Sequence, residues 1–323
     1  MSPIFKRYSD ILVIGGGAAG MAVAAGAAAS GADVLLVDER PCPGGILPQC
    51  IHRGFGRGFY GEDLTGPEYC EREVKRFLSS GAAYLPRAHV TRVEKNRTAL
   101  VSAPAGLFLC SFDQCVLATG CREKNFYALG IPGTRPDGIY TAGEAQEMLN
   151  LGQYDIGNRI VILGSGDIGQ IVARRLVITG RTVVAMAEMN DHIGGMKRNH
   201  KECIADYRIP VILRSTVTEV HGYPKLTAVT LRHLDTGAEE RVSCDALITA
   251  LGLVPETSAA DSLKSDQGLP DWLHLCGNAG YVHEIVDSVS MEGLRLGEML
   301  GRHLRGSEVE ETEKMFFKGT CGL

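Results

Sequence analysis

The sequence predicts an α/β protein built around two similar strand–turn–helix–strand units. In the first unit, an apolar run at 11–14 ends at three glycines, a helix of small residues follows, and the next apolar run ends at Asp38. The second unit repeats this order, because the run 160–163 ends at the turn GSGDIG and the following strand ends at Glu188. An acid at the tip of the second strand of such a unit is typical of dinucleotide binding. We therefore expect two dinucleotide sites.

Three glycines of the first turn have separate physical roles. Gly15 makes the tight turn, Gly17 lets the main chain approach a pyrophosphate, and Gly20 lets the helix pack closely on the strand. The start of the helix offers N–H groups and the positive end of its dipole to the phosphates. Asp38 is placed to accept a hydrogen bond from a ribose hydroxyl. The corresponding residues of the second unit are Gly164, Gly166, Gly169 and Glu188.

The chain between the two units reads as a loop, a helix and a meander. Three prolines and a glycine pair predict a loop over 39–52. Early acids, late bases and a terminating glycine predict a helix over 65–80. Short alternating runs over 83–116 predict an antiparallel meander. Its strand at 107–112 leads into a separate buried strand, which ends in the small-residue turn 118–120.

The second half of the chain repeats this plan. A connecting stretch with a helix at 142–149 precedes the second unit. A second meander over 212–250 again ends at a glycine, Gly252. A short strand then reaches the turn Cys276-Gly277-Asn278, and a helix begins near Glu284. The repetition indicates two domains of the same design.

Composition restricts the class of protein. A chain of 323 residues suits two domains with substantial cores, and the net charge of −5 with dispersed basic residues argues against a nucleic-acid partner. The ten cysteines are scattered without a C-x-x-C pair, and the N-terminus lacks the apolar core of a signal peptide. We therefore expect reduced thiols in a cytoplasmic protein. The uncharged stretch 11–30 is mostly Gly, Ala and a short strand, so we do not interpret it as a membrane span.

Five motifs carry a resemblance to a known group of enzymes. They are GGGAAG with Asp38, ATG at 118–120, GSGDIG with Glu188, ALGLVP at 250–255 and CGN at 276–278. With these motifs the chain resembles the two-dinucleotide-binding-domain flavoproteins, the group that includes thioredoxin reductase and glutathione reductase. The resemblance implies two Rossmann-like three-layer (ββα) domains. It places FAD in residues 1–124 and 246–323, and NAD(P) in an inserted domain, 125–245.

Further stretches narrow the resemblance. GGILPQCIHRGFG (44–56), LTGPEY (64–69) and GGMKRN (194–199) are similar to a bacterial NAD(P)/FAD oxidoreductase subfamily associated with glycerol 3-phosphate dehydrogenase-like flavoproteins. ATGCRE (118–123) is similar to the flavin subunits of opine oxidase and related amine dehydrogenases. These similarities imply hydride transfer between NAD(P)H and FAD, with electrons exchanged with a separate acceptor protein or a second flavoprotein dehydrogenase subunit.

The resemblance also implies the residues that contact each cofactor, and we expect no metal site. For FAD they are Gly15, Gly17, Ala19, Gly20, Asp38, Glu39, Gly45, Val90, Ala118, Thr119, Gly120, Gly277 and Asn278. For the nicotinamide cofactor they are Gly164, Gly166, Asp167, Ile168, Gly169, Glu188 and Gly252.

Two positions in these sets affect specificity. Asn278 stands where the group usually has an aspartate that contacts the ribityl chain of FAD. Glu188 favours NADH, because a carboxylate accepts from the ribose 2′-hydroxyl and repels a 2′-phosphate. NADPH remains the alternative, with Lys197 and Arg198 further along the chain. The helix near Glu284 is expected to direct its positive N-terminus at the flavin.

A redox-active disulfide is not expected. Cys110 and Cys115 have the spacing used by glutathione reductase-like enzymes, but in an extended strand five residues span about 17 Å, too far for a disulfide. Cys50 lies in the loop that delivers the active cysteines of related enzymes, with His52 nearby to support a thiolate. His283 is a candidate general acid, and Cys321 reads as an inert thiol in a loosely held tail.

Three functions therefore remain open. The first is an FAD-dependent NAD(P)H oxidoreductase without a redox disulfide. The second is a thiol-dependent NADH oxidase or disulfide-type reductase that uses Cys50. The third is a flavin-binding regulatory or structural subunit without NADH access, against which the intact GSGDIG and Glu188 argue. The sequence leaves the oligomeric state open.

Overall fold

The computed structural model of the protein describes residues 4–266 and 268–304. Within them the chain divides into two compact units, one formed by residues up to Cys121 and from Pro255 onward, the other by Arg122–Val254. The C-terminal tail and Cys321, for which the sequence predicts a loose tail and an inert thiol, lie outside the described residues.

The N-terminal part of the first unit forms a mixed sheet with two helices. Its strands are β1 (Ile4–Ile14), β2 (Val34–Val37), β3 (Arg53–Phe55), β4 (Leu64–Thr65), β5 (Ala83–Leu85), β6 (His89–Glu94), β7 (Thr98–Ala103) and β8 (Gly106–Leu117). Its helices are α1 (Ala18–Ala29) and α2 (Gly66–Ser79). β3 and β4 form a separate antiparallel pair. In the mixed sheet the strand order is β5-β2-β1-β8-β7-β6; β5, β2, β1 and β8 run parallel, and β6 and β7 form an antiparallel hairpin against β8.

Two strands of this sheet are longer than the sequence predicts. β1 begins at Ile4 rather than at Ile11, and β8 is one continuous strand where we expected two. The additional segment of β1 pairs in parallel with β8, from Ile4 opposite Leu107 to Ser9 opposite Phe112. Most side chains of this segment are exposed, so it lacks the apolar pattern that marks the buried half of the strand.

The second unit contains a parallel sheet covered by a small antiparallel one. Its strands, including the two that lead into and out of it, are β9 (Cys121–Glu123), β10 (Ile139–Thr141), β11 (Arg159–Leu163), β12 (Thr182–Ala187), β13 (Val211–Ile212), β14 (Ser215–His221), β15 (Ala228–His233), β16 (Glu239–Ser243), β17 (Ala246–Thr249) and β18 (Leu253–Pro255). Its helices are α3 (Ala142–Glu147), α4 (Asp167–Ile178) and the short α5 (Lys197–Asn199). The parallel order is β10-β17-β11-β12-β13, and β14-β15-β16 form the antiparallel sheet.

The position of β17 corrects a predicted boundary. We expected residues from 246 onward to return to the first domain, but β17 pairs in parallel with both β10 and β11 in the second unit. The chain leaves this unit between Val254 and Pro255. A short, fully buried strand has the same sequence pattern in either sheet, so its sequence does not show which sheet it joins.

After the second unit the chain adds strand β19 (Leu273–Leu275) and helix α6 (Val286–Leu304) to the first unit. β19 pairs in parallel with β8, and α6 packs on α1. This helix contact is close because α6 has glycines at 293, 297 and 301: a Cβ at Gly297 would lie 2.2 Å from the Val23 carbonyl oxygen, and one at Gly293 would lie 2.6 Å from that of Ala19. Among the described residues, no helix has the length and apolar character to cross a bilayer.

Candidate dinucleotide-binding sites

The glycine turn of the first unit is packed tightly on its strand side. Gly15 has φ +103°, and a Cβ there would lie 2.5 Å from the carbonyl oxygen of Ala118. A Cβ at Gly20 would lie 1.8 Å from the carbonyl oxygen of Gly15. Both positions therefore require glycine, and both hold α1 and the turn at 118–120 against the end of β1.

The other side of the same turn leaves space. An added Cβ at Gly17 would meet only Gly45 Cα, at 3.9 Å, and the backbone dihedrals of Gly17 are ordinary. Gly44 N donates to Gly16 O at 2.8 Å, which docks the 44–52 loop beside the turn. Gly277 packs on the first turn of α1, because a Cβ there would lie 2.8 Å from Ala19 Cβ. These glycines form a cradle in front of the N-terminus of α1, whose first turn carries no acidic side chain.

Asp38 closes this first cradle. Its Oδ2 accepts from Gly16 N, and its Oδ1 accepts from Arg40 N at 2.6 Å. Burial raises the pKa of Asp38, although these two hydrogen bonds oppose the shift. Asp38 therefore lies beside the turn, where the sequence predicts a ribose-binding acid.

The remaining predicted FAD residues occupy varied positions. Glu39 is exposed, with its carboxylate 3.5 Å from His89 Nδ1. Val90 is buried among the apolar side chains of the sheet. Thr119 donates its hydroxyl to the carbonyl oxygen of Glu256, and Gly120 adopts φ +72° at the end of the strand. The structure thus brings the glycines, Ala19, Ala118 and Asp38 together. It places Glu39 at the periphery and Val90 in the core of the sheet.

The turn of the second unit repeats the geometry of the first. Gly164 has φ +100°, and its Cβ would lie 2.3 Å from the carbonyl oxygen of Ala250. A Cβ at Gly169 would lie 2.8 Å from Gly164 O. At Gly166, by contrast, an added Cβ would meet no protein atom within 4 Å. The second turn is therefore also closed toward its strand and open in front of helix α4.

Glu188 is held by four donors at the tip of β12. Its Oε2 accepts from Ser165 N at 2.9 Å and from Ser165 Oγ at 2.6 Å, and its Oε1 accepts from Asn190 N at 2.9 Å and Asn190 Nδ2 at 2.8 Å. Burial alone raises the pKa of this carboxyl, but the hydrogen bonds from Ser165 and Asn190 outweigh it and the pKa of Glu188 is lowered. The carboxylate is thus ionised and oriented. The sequence patterns we used did not indicate Ser165 or Asn190.

A loop at 193–199 is fastened to the second turn by three side chains. Ser165 Oγ accepts from Gly194 N at 2.9 Å. Gln170 Nε2 donates to the carbonyl oxygens of Ser165 and Gly194, at 2.8 and 2.7 Å. Asp167 Oδ1 accepts from Met196 N at 2.8 Å and Asn199 Nδ2 at 2.7 Å. Asp167, predicted as a cofactor contact, therefore uses its carboxylate to hold this loop.

Ile168 and Gly252, both predicted to contact the nicotinamide cofactor, make contacts within the protein itself. Ile168 packs against the core between α4 and the parallel sheet. Gly252 adopts φ +90°, and its carbonyl oxygen accepts from Lys124 N at 3.0 Å. No group of three or more metal-ligating side chains occurs in the described ranges 4–266 and 268–304.

The three cysteines that we considered for redox chemistry, Cys50, Cys110 and Cys115, do not have the properties of reactive thiols. Cys110 and Cys115 lie on β8 with no exposed surface, and burial raises the pKa of both thiols. Burial also raises the pKa of Cys50 to about 12, and Cys50 Sγ lies 3.4 Å from Ile46 O. The candidate thiolate at Cys50 is therefore not supported, because burial disfavours the charged form.

The turn after β19 carries a compact polar cluster. Asn278 Oδ1 accepts from His283 N at 2.9 Å and lies 3.2 Å from His283 Nδ1, while His283 Nε2 lies 2.8 Å from Glu292 Oε2. The helix beyond it begins at Val286, and Asp287 in its first turn accepts from Gly56 N and Gly58 N at 2.8 and 2.6 Å. The N-terminus of α6 is therefore held against the 56–58 loop. Sequence reasoning identified Asn278 and His283 but not Glu292 or Asp287.

The geometry of the two cradles is suited to binding dinucleotides. Each has glycines whose Cβ would collide with backbone on the strand side, open space in front of a helix N-terminus, and an acid held at the tip of the next strand. A pyrophosphate requires this combination of close main-chain approach and unpaired N–H groups.

Comparisons with known proteins agree with this geometry. One subunit of the opine oxidase of Agrobacterium tumefaciens is 29% identical over 281 residues, which are 79% of this chain and 54% of that protein. Thioredoxin reductase of Treponema pallidum is 25% identical over 261 residues, or 80% of each chain. The crystal structure of T. acidophilum thioredoxin reductase matches with a TM-score of 0.75 at 20% identity, over 93% of this chain and 99% of that chain.

These matches confirm the predicted two-domain α/β fold. The chain spans about half the length of the opine oxidase subunits that it resembles. A family model described as pyridine nucleotide-disulphide oxidoreductase matches residues 9–270, which is most of the sequence. The chain therefore belongs to the pyridine nucleotide-disulphide oxidoreductase family, a family of flavin-dependent oxidoreductases that bind FAD and a pyridine nucleotide.

Proposed function

We propose that this chain is an FAD-dependent oxidoreductase that passes hydride between NADH and FAD and exchanges electrons with a separate protein, without a redox-active disulfide. The single observation that carries the proposal is the pair of cradles, each closed toward its strand and open in front of its helix. Following the order of motifs in related flavoproteins, we assign FAD to the first unit and NADH to the second.

When bound, the two cofactors supply the hydride chemistry, so the task of the chain is binding and orientation. Gly17 and the N-terminus of α1 bind the FAD pyrophosphate, and Asp38 orients a ribose. Gly166 and the N-terminus of α4 do the same for NADH. The 193–199 loop, fastened through Asp167, fixes one side of the second cradle.

The preference for NADH is proposed from the charge of Glu188. Its pKa is lowered, so its carboxylate is negative at neutral pH and repels the 2′-phosphate of NADPH. The hydrogen bonds from Ser165 and Asn190 keep this charge in place. All four lone-pair positions of this carboxylate already have a donor, so a ribose 2′-hydroxyl that donates to Glu188 has to replace one of them, such as the side-chain N–H of Asn190.

The partner is proposed from the relatives and from the thiols. The A. tumefaciens relative is named as one subunit of an oxidase, which indicates that a chain of this design works with other chains. Cys50, Cys110 and Cys115 are buried with raised pKa values, so they do not support an internal thiol acceptor. We therefore propose that electrons are exchanged with an acceptor protein or with a second flavoprotein dehydrogenase subunit.

The test is anaerobic titration of the purified protein after addition of FAD. We expect a yellow protein whose flavin is bleached by NADH at lower concentration than by NADPH, followed by co-purification of the partner and a screen of acceptors. A colourless protein that binds no added FAD would contradict the proposal. A flavin that stays oxidised for minutes under saturating NADH would instead favour the regulatory or structural subunit without NADH access.

A further inference from the structure

The carboxylate of Glu188 has a hydrogen-bond donor at each of its acceptor positions. A carboxylate offers about four lone-pair positions on its two oxygens. Within the described residues, Ser165 N and Ser165 Oγ donate to Oε2 at 2.9 and 2.6 Å. Asn190 N and Asn190 Nδ2 donate to Oε1 at 2.9 and 2.8 Å. A nucleotide hydroxyl that donates to this carboxylate therefore has to displace one of these four donors.

Three of the four donors are held in place by other contacts. Ser165 has no exposed surface, and its hydroxyl also accepts from Gly194 N at 2.9 Å. The main chain of Asn190 is fixed because its carbonyl oxygen accepts from Arg214 N at 3.0 Å. Displacing the Ser165 donors or the Asn190 N–H would therefore move a buried side chain or a bonded segment of main chain.

The strand tip that carries the acid is fixed as well. Glu188 N donates to the carbonyl oxygen of Ile212 at 2.9 Å, and Glu188 O accepts from Ser215 N at 2.8 Å. The side-chain amide of Asn190 is different, because the residue is exposed and its Nδ2 can turn into water by rotation about side-chain bonds. It is thus the donor on Glu188 that leaves at the lowest cost.

We propose that Asn190 is a specificity-determining residue whose side-chain amide occupies, on Glu188, the place of the ribose 2′-hydroxyl and turns away when NADH binds. The inference rests on the proposed function, which assigns NADH to the second unit. The amide and the hydroxyl compete for one oxygen, so the form of the site that accepts NADH is only part of the population. The apparent affinity for NADH is lower by that fraction.

The same competition does not apply to NADPH. Its 2′-phosphate presents mainly acceptor oxygens, so it cannot take over the hydrogen bond that the amide makes to Glu188. Removing the amide should therefore favour NADH alone. In the wild-type protein Asn190 reduces the difference in affinity between the two nucleotides, while the charge of Glu188 creates that difference.

One variant and one control test this role. Asn190→Ala deletes the competing amide and keeps the main-chain N–H, so Glu188 retains three donors. Asn158→Ala is the matched control, because Asn158 is also exposed but precedes the first residue of β11, at the opposite end of that strand from the glycine turn. Thermal unfolding of both variants checks that they fold.

The measurement is calorimetric titration of the purified full chain with three oxidised nucleotides, which bind without reducing a flavin. They are NAD⁺, an NAD⁺ analogue that lacks the 2′-hydroxyl of the adenosine ribose, and NADP⁺. We expect Asn190→Ala to bind NAD⁺ about three- to tenfold more tightly than wild type, the effect of removing one competing hydrogen bond. Its affinities for the analogue and for NADP⁺ should stay within about twofold of wild type, and Asn158→Ala should change none of the three.

The direction of the change decides between the possible roles of Asn190. A folded Asn190→Ala variant that binds NAD⁺ as tightly as wild type, or more weakly, overturns this inference and leaves the proposed function standing. An equal gain for NAD⁺ and for the analogue also overturns it, because the amide would then obstruct the site without replacing the hydroxyl. Wild-type protein that binds neither NAD⁺ nor NADP⁺ overturns the proposed function together with this inference.

Discussion

Ser165 and Glu188 form the counterpart, in the second unit, of the contact between Gly16 and Asp38 in the first. In both units the middle residue of the glycine turn donates its main-chain N–H to the acid at the next strand tip. Ser165 adds a second donor, its hydroxyl, at 2.6 Å from Glu188 Oε2. Burial raises the pKa of Asp38 against two opposing hydrogen bonds, whereas the hydrogen bonds from Ser165 and Asn190 outweigh burial at Glu188 and lower its pKa.

The charge of Glu188 should set the nucleotide preference. We expect Glu188→Gln to weaken NADH binding about tenfold, because hydrogen bonds to a charged acceptor are lost and the amide NH₂ faces the donors of Ser165. The same change should narrow the difference between NADH and NADPH, since the repulsion of a 2′-phosphate is removed. The measurement is the dissociation constant of each nucleotide. Glu239→Gln, at an exposed ion pair with Arg232 on the antiparallel sheet, is the control. Equal affinity of the wild type for both nucleotides would count against Glu188.

The open side of the second cradle leads to a prediction about Gly166. We expect Gly166→Ala to fold normally, because φ is −63° and no protein atom lies within 4 Å of the new Cβ. NADH binding should weaken at least about tenfold, because the methyl group occupies the approach of the pyrophosphate.

The matched variant is Gly169→Ala, whose Cβ would lie 2.8 Å from Gly164 O. It should lower the free energy of unfolding by about 1–3 kcal/mol through overpacking. Thermal unfolding and nucleotide titration of both variants separate loss of space for the ligand from loss of stability. Unchanged NADH affinity in Gly166→Ala would show that the pyrophosphate does not approach this glycine.

The state of Cys50 separates the two enzyme functions. With its pKa raised to about 12, Cys50 is a neutral thiol at pH 7. We expect Cys50→Ser to change the rate of flavin reduction by NADH by less than about twofold, and we expect wild-type Cys50 to react slowly with iodoacetamide. The reaction should accelerate only as the pH rises toward the raised pKa, because the thiolate is the nucleophile. Loss of turnover in Cys50→Ser, with flavin content unchanged, would restore the thiol-dependent mechanism.

The parts of the fold that the sequence predicts are those specified by local chemistry. The two glycine turns and the acids Asp38 and Glu188 are recognisable because each position has its own steric or electrostatic requirement within one short segment. The N-terminal extension of β1 was missed because most of its side chains are exposed and it lacks the apolar pattern of the buried half of the strand. The strand Ala246–Thr249 was assigned to the wrong unit because a buried apolar strand looks alike in either sheet.

The side chains that support the cradles are harder to predict. Glu292 contacts His283 and Gly277, and Gln170 contacts Gly194, through the arrangement of separate segments rather than through a sequence motif. A half-buried glutamate or a buried glutamine in a helix has many possible partners in a single sequence. Its role becomes visible only when the fold brings the partner segment to it.

Glu73 provides a prediction about stability and pH. It has no exposed surface on α2, where it accepts from the Tyr60 hydroxyl, from Arg76 at 2.5 Å and from Ser290 at 3.3 Å. Burial raises the pKa of Glu73 above its usual 4.5, although these three partners lower it in part. The folded state therefore holds the proton more tightly than the unfolded state does.

The sign of the pH dependence follows from that difference. The contribution of Glu73 to stability is fully present below pH 4.5 and is lost as the pH rises through the raised pKa, by about 1.4 kcal/mol for each unit of difference in pKa. We expect Glu73→Gln to remove this loss of stability with rising pH. The variant should therefore gain stability relative to wild type as the pH increases. Urea unfolding at several pH values between about 4.5 and 8 measures it. Glu71→Gln, at an exposed position of α2, is the control. If the difference in unfolding free energy between Glu73→Gln and wild type stays constant with pH, Glu73 does not retain its proton.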